Sequence, residues 1–239
     1  MSAAISVASF HTEATAAVQS ARRRINRKPP LRKTRVTPQM TREAQQRLID
    51  LGYWITAADG KWGDSSRHGL IAFQKVERRV RTGRLSVDEL QALRTASRPS
   101  PREGGFAHIE VDLKRQVLFV VDADGTVSRV LPVSTANGKL FEIEGETDRA
   151  VTPVGRFRVY RKLDGWRKSP LGLLYYPSYL VGGIAIHGNP SVPAQPASHG
   201  CIRIPMFAAK EFSDMTPIGT QVIVHDGSIP TAPSRAPRR

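Results

Sequence analysis

The chain has 239 residues, 40% of them hydrophobic and 24% charged, enough for one large domain or two small ones with a buried core. No stretch approaches the roughly 18 consecutive apolar residues of a membrane span. A single cysteine excludes a disulfide scaffold and a thiolate-rich zinc site within one chain. The formal charge of +15 is uneven: residues 1–40 hold eight Lys or Arg against Glu13 alone, and the last thirteen residues hold three Arg and no acid. Residues 41–226 therefore carry only +5 of the excess.

Residues 1–40 read as a basic disordered or targeting segment. Their apolar stretch Ala3–Phe10 precedes the Arg cluster, the reverse of the order in a secretory signal peptide. Both basic ends suit a polyanion held by counterion release, or simply solvated tails. Residues 41–96 predict three short helices. Ala44, Leu48 and Leu51 share one face of the first, with Thr41 as its N-cap. The second runs from about Ser65 to Arg79 and places Leu70, Phe73 and Val76 at helical spacing. Ser86-Val87-Asp88-Glu89 is a capping box for the third, with Leu85 and Leu90 as a hydrophobic staple. Trp54, Trp62 and Phe73 are expected to supply much of this small core, and His68 is expected at the surface.

Residues 97–105, rich in Ser, Pro and Gly, predict a linker. From Phe106 the apolar period changes to two. Ile109, Val111 and Leu113 alternate with polar residues, Val117–Val121 is a continuous strand-forming run, and Asp124-Gly125 turns the chain into Val127–Val133. Further strands are predicted at Gly155–Tyr160, Gly183–Ile186 and Gln221–Val224, and a helix at Pro205–Met215. This β-rich region closes near Asp226, and residues 227–239 form a Pro/Arg tail.

The stretch Ile184–Pro205 carries the chemistry. His187 leaves the end of an apolar strand just before Gly188, and Cys201 follows fourteen residues later within Ser198-His199-Gly200-Cys201-Ile202-Arg203. A thiol becomes a strong nucleophile once a neighbouring imidazole takes its proton, and a loop of this length can fold back to pair the two. Gly200 lets the backbone approach a substrate, and the Cys201 amide can point into an oxyanion pocket. The alternatives are a buried small hydrophobic cysteine, or a metal held by His187, His199, Cys201 and His225. The i, i+2 spacing of His199 and Cys201 is cramped for one zinc.

Ser198-His199-Gly200-Cys201-Ile202-Arg203, preceded by Ile186-His187-Gly188, resembles the signature of the L,D-transpeptidases, the YkuD-type catalytic domain of bacterial cell-wall synthesis. Thr152-Pro153-Val154-Gly155-Arg156-Phe157 is similar to a second family segment. Residues 41–96 resemble a three-helix peptidoglycan-binding domain through Gln46-Arg47-Leu48, Leu51-Gly52-Tyr53, Asp59-Gly60, Trp62-Gly63 and Ala72-Phe73-Gln74. The resemblance implies a mixed β-sandwich over 106–226 behind a helical wall-binding domain, with no metal or organic cofactor. It implies Cys201 as nucleophile, His187 as general base oriented by a backbone carbonyl near Gly188, and the Gly200 and Cys201 amides as oxyanion donors. His199 and Ser198 would shape the pocket, Arg203 would pair with a substrate carboxylate, and Trp166 and Tyr176 would line a donor groove or serve as packing.

Two departures stand out. The interval from His187 to Ser198 is shorter than in many members and contains Pro190, Pro193 and Pro196, which predicts a stiff loop over the site. Arg203 stands where many members have Asn. The implied reaction is cross-linking by acyl transfer from tetrapeptide stems with release of D-Ala. L,D-carboxypeptidation of the same stems and a non-catalytic wall-binding protein are the alternatives. The implied partners are peptidoglycan stems and glycan, with an anionic wall polymer or membrane surface for the basic tails rather than nucleic acid. A monomer outside the cytoplasm is expected.

Overall fold

The computed structural model describes residues 35–227; the rest of the basic N-terminal segment and the Pro/Arg tail lie outside the described residues. Among the described residues, Val36 to Gly227 belong to one compact unit. Its helical region contains α1 (Pro38–Asp50), α2 (Asp64–Val76) and α3 (Val87–Thr95). Thr37, not Thr41, caps α1, its hydroxyl accepting the Met40 N–H at 3.2 Å. Pro38 at the first helical position needs no N–H partner, so the helix starts a turn earlier than its apolar stripe suggests. Thr41 falls inside that first turn and donates to Thr37 O at 3.1 Å. Ser86 caps α3 through the Glu89 N–H at 3.1 Å, while the Glu89 carboxylate pairs with Arg79 at 3.1 Å.

Helix α2 is enclosed, with Ser66 and every residue from His68 to Lys75 buried. Only its first turn keeps exposed residues, Asp64 and Arg67, and His68 is buried, contrary to its expected surface position. Its ring packs near Phe207, and burial pushes its imidazole down to about 4.

One five-stranded sheet runs in the order β3 (Val127–Pro132), β2 (Val117–Val121), β1 (His108–Asp112), β12 (Gln221–His225), β6 (Gly155–Arg158). β1 and β12 are parallel and the other pairs antiparallel. A second sheet runs β11 (Ile202–Pro205), β10 (Ile184–Asn189), β9 (Gly172–Val181), β7 (Arg161–Lys162), with β8 (Trp166–Ser169) also paired to β9. β4 (Leu140–Ile143) and β5 (Glu146–Arg149) make a separate hairpin. The sheets share one apolar core, with Ile109, Val111 and Leu118 from the first meeting Ile186, Ile202 and Ile204 from the second. α4 (Met206–Met215) adds Ala208, Ala209 and Phe212 to it. Central β1 is buried on both faces, so its polar residues Glu110 and Asp112 are buried too.

The helices are fused to this sandwich. Trp54 N–H donates to Val130 O at 3.0 Å and Val130 N–H to Gly52 O at 2.8 Å, so Gly52–Trp54 extends and protects the β3 edge. Val117, Phe119 and Val121 of β2 pack in one cluster with Leu48, Phe73 and Leu90. Trp54 joins the sandwich core instead of the helical one, because the edge pairing carries its side chain to that side. The 97–105 segment is anchored at both ends: Arg98 donates to Asp50 O and Val127 O, and Glu103 pairs with Arg156.

Candidate active site

His187 and Cys201 line one cavity of about 430 Å³. The register between β10 and β9 slips at His187: Ile186 pairs with Ser178, but Gly188 pairs with Tyr175. Tyr176 and Pro177 thus bulge opposite His187, and a bulge re-aims the facing side chain. Tyr176 takes up the extra residue in the left-handed region, at φ 47°, where a non-glycine side chain is uncommon. Its N–H is held by Gly165 O at 2.8 Å.

His187 Nδ1 lies 2.9 Å from Gly188 O. A carbonyl only accepts, so Nδ1 carries the proton and Nε2 keeps its lone pair. Burial pushes the imidazole down to about 4, the Gly188 carbonyl opposing and the Arg203 charge assisting. His187 is accordingly a neutral base at pH 7. Gly188 has no room for a side chain, since a Cβ there would sit 2.5 Å from the Ala209 Cβ of α4. That close approach lets α4 press against the strand bearing His187.

Cys201 Sγ accepts the Ala185 N–H at 3.4 Å and donates to Gly183 O at 3.6 Å. Burial raises the thiol, while the Ala185 N–H and Arg203 work in the opposite direction. At pH 7 the two groups are therefore a neutral thiol and a neutral imidazole. Ser198 Oγ bridges the turn, donating to Cys201 O at 2.6 Å and accepting the Gly200 N–H at 3.2 Å. This bond engages the Gly200 amide expected at an oxyanion. Among the described residues the Cys201 N–H has no protein acceptor. A Cβ on Gly200 would meet Ile184 Cδ1 at 2.4 Å, so this turn also needs its glycine.

The cavity walls come from two hairpins. β4–β5 contributes Phe141, Asp148 and Arg149, and β8–β9 contributes Leu171 and Leu173. Phe141 packs on the His199 ring at 4.6 Å between centroids. Arg203 lines the cavity half-buried and forms no ion pair among the described residues. Trp166 and Tyr176 do not line it: Trp166 stacks on Tyr175 at 4.8 Å, and Tyr176 is occupied by the bulge. The Pro-containing loop does not close over the site. Its Gln195 O accepts from Ser134 Oγ at 2.8 Å, and no residue between Asn189 and Ser198 lines the cavity. Thr152, which the sequence presents only within a family-like segment, proves to be a clamp: its hydroxyl donates to Gly200 O at 2.7 Å and accepts the Ala136 N–H at 3.1 Å.

The family model of the L,D-transpeptidase catalytic domain, YkuD, matches residues 107–224, and that of a peptidoglycan binding domain matches residues 37–93. A crystal structure of an L,D-transpeptidase from Xylanimonas cellulosilytica is 39% identical with a TM-score of 0.77, covering 83% of this chain and 100% of its own. The chain belongs to the L,D-transpeptidase family. Weaker likenesses include L,D-transpeptidases from Stackebrandtia nassauensis, at 20% identity, a TM-score of 0.44 and coverage of 81% of this chain and 92% of that one, and from Mycobacterium smegmatis, at 23%, 0.41, 50% and 58%. A search of the curated proteins gives no match. Membership makes this a peptidoglycan-modifying protein with peptidoglycan as partner. Among the described residues no helix is long and apolar enough to cross a membrane.

Proposed function

We propose that the protein is a peptidoglycan L,D-transpeptidase in which Cys201 is the nucleophile and His187 the general base. One observation carries this reading: Gly188 O holds the Nδ1 proton of His187, leaving Nε2 as an acceptor in the cavity that also contains Cys201 Sγ. As Sγ attacks the carbonyl between the third-position diamino acid and D-Ala of a tetrapeptide stem, Nε2 takes the thiol proton. The tetrahedral oxyanion receives the Cys201 N–H. The imidazolium then protonates the departing amine of D-Ala, and a thioester remains. An amine of a neighbouring stem attacks that thioester, His187 removes its proton, and the new amide cross-link releases the thiol. The unpaired Arg203 guanidinium suits a donor-stem carboxylate. His199, fixed by Phe141, shapes the wall of the pocket on the hairpin side.

Within this reading, residues 41–96 bind the wall, 97–105 connect, and 106–226 catalyse. Action on the wall places the protein outside the cytoplasm, and fractionation that finds it only in the cytoplasm would count against the proposal. The test incubates the full chain with disaccharide-tetrapeptides and follows products by mass spectrometry beside C201A and H187A. Cross-linked dimers from the unmodified protein alone support transpeptidation. Loss of one alanine without dimers makes it a carboxypeptidase, and no product at all overturns the enzymatic proposal.

A further inference from the structure

Lys75, near the end of α2, is fully buried and reaches out of the helical region. Its Nζ donates to Val133 O at 2.8 Å and Gln116 O at 3.0 Å. Burial, with the Arg81 charge behind it, brings its amino group down to about 7. An amine keeps at least two N–H groups in either protonation state, so both carbonyls stay paired. Lysine is a costly residue to bury, and its retention here calls for a physical role.

The segment it grips, residues 133–137, is a junction. The Gln116 side chain brackets Thr135, accepting its N–H at 3.0 Å and donating to its Oγ1 at 2.6 Å. From the other side, Ala197 and Ser198 both donate their N–H to Thr135 O at 2.9 Å. Ser134 exchanges two backbone bonds of 3.1 Å with Arg203, and Asn137 N–H donates to Ser198 O at 3.1 Å. Ala136 holds Thr152, which holds Gly200. Ala197, Ser198, Gly200 and Arg203 are thus referenced to 133–137, directly or through Thr152. Arg81, in the loop after α2, adds a second grip by donating to Ala194 O at 3.3 Å.

We propose that Lys75, a residue of the peptidoglycan-binding helices, is a positioning residue for the Cys201 loop, acting through residues 133–137. On this assignment the helical region is part of the catalytic unit as well as a tether to the wall. Only the kinetic readout rests on Cys201 being the nucleophile.

The test compares the full-length protein with K75M and with L90A. Leu90 is in the same apolar cluster but on α3, which packs against α1. Acylation of Cys201 by a carbapenem is timed by intact mass, and peptide-level hydrogen exchange is followed over 133–137 and 195–201. K75M is expected to acylate about tenfold more slowly, with faster exchange in both segments, because small displacements of a reacting group cost rate steeply. L90A is expected to stay within twofold of the unmodified protein. Equal slowing in both variants, or unchanged acylation and exchange in K75M, overturns the assignment. Where K75M does not fold, the unmodified protein decides: amides of Thr135, Ala197 and Ser198 that open together with those of α2 support the link, and α2 opening without them refutes it. An unmodified protein that is not acylated at Cys201 counts against the proposed function, while the exchange result still decides the role of Lys75.

Discussion

Two buried polar sites in this sandwich contain histidine, and they are built on opposite plans. At one, His187 is tied to a neutral carbonyl and stands beside the half-buried charge of Arg203. At the other, Glu110 lies between His108 and His225, with Oε1 3.3 Å from His225 Nε2 and Oε2 3.7 Å from His108 Nε2. Burial alone would raise the Glu110 carboxyl. The two imidazoles and the Arg102 and Glu103 backbone N–H groups outweigh it and bring the carboxyl down to about 2. A buried carboxylate that draws in two imidazoles and two backbone N–H groups is a structural clamp, tying β12 and the segment preceding β1 to β1. A single carbonyl partner orients the ring and offsets only part of the cost of burial, so the imidazole stays neutral at pH 7. On the proposed function, the contrast separates a site that transfers protons from one that provides cohesion.

The largest test of that contrast is H187A. Loss of a general base is expected to reduce cross-link formation by about 10²–10⁴-fold, with C201A at background, both read from dimer yield by mass spectrometry. E110Q should show the reverse pattern. Its unfolding free energy by urea titration is expected to fall by about 1–3 kcal/mol, the cost of a disrupted buried hydrogen-bond set, with turnover within twofold. A large loss of turnover with stability intact would falsify the structural assignment of the Glu110 cluster.

Acid sharpens the same comparison. The folded state holds the His187 imidazole down from 6.5 to about 4, so it binds fewer protons than the unfolded chain in that window. Stability should therefore decline as pH falls from 6.5 toward 4. Glu110, lowered from 4.5 to about 2, extends the decline below 4.5, and E110Q should flatten only that lower part. The smallest expected effect is R203Q. Removing the positive charge lets His187 protonate more easily, so the acid limb of the rate profile should move toward neutrality. An unmoved limb would show that burial alone sets the imidazole.

Much of the site was legible because it is local. His187 precedes the carbonyl that orients it by one residue, and Ser198, Gly200 and Cys201 lie within one turn. The Asp124-Gly125 hairpin was legible for the same reason: Asp124 Oδ1 accepts the Thr126 N–H at 2.8 Å and Gly125 adopts φ 86°. β4 and β5 escaped notice because β5 is exposed throughout, so no apolar period marks it. Most of β8 and the first two residues of β9 are also exposed. The burial of His68 was not legible because helical spacing identifies one buried face and cannot show that Phe207 of α4 packs near the other. That the Gly200 amide donates to Ser198 Oγ was not legible, because the choice is made by a hydroxyl rotor.

Sequence alone determined the chemistry available: one thiol, an imidazole beside a glycine carbonyl, and helices patterned to bury a face. Those depend on residue type and short spacing, which the chain carries explicitly. Tertiary structure decided which groups were left unpaired. The β9 bulge aims His187, α4 presses on Gly188, and Lys75 reaches from the helices to the 133–137 segment that bonds the Cys201 loop. Each depends on residues distant in sequence competing for the same space and the same hydrogen bonds, and only packing resolves that competition.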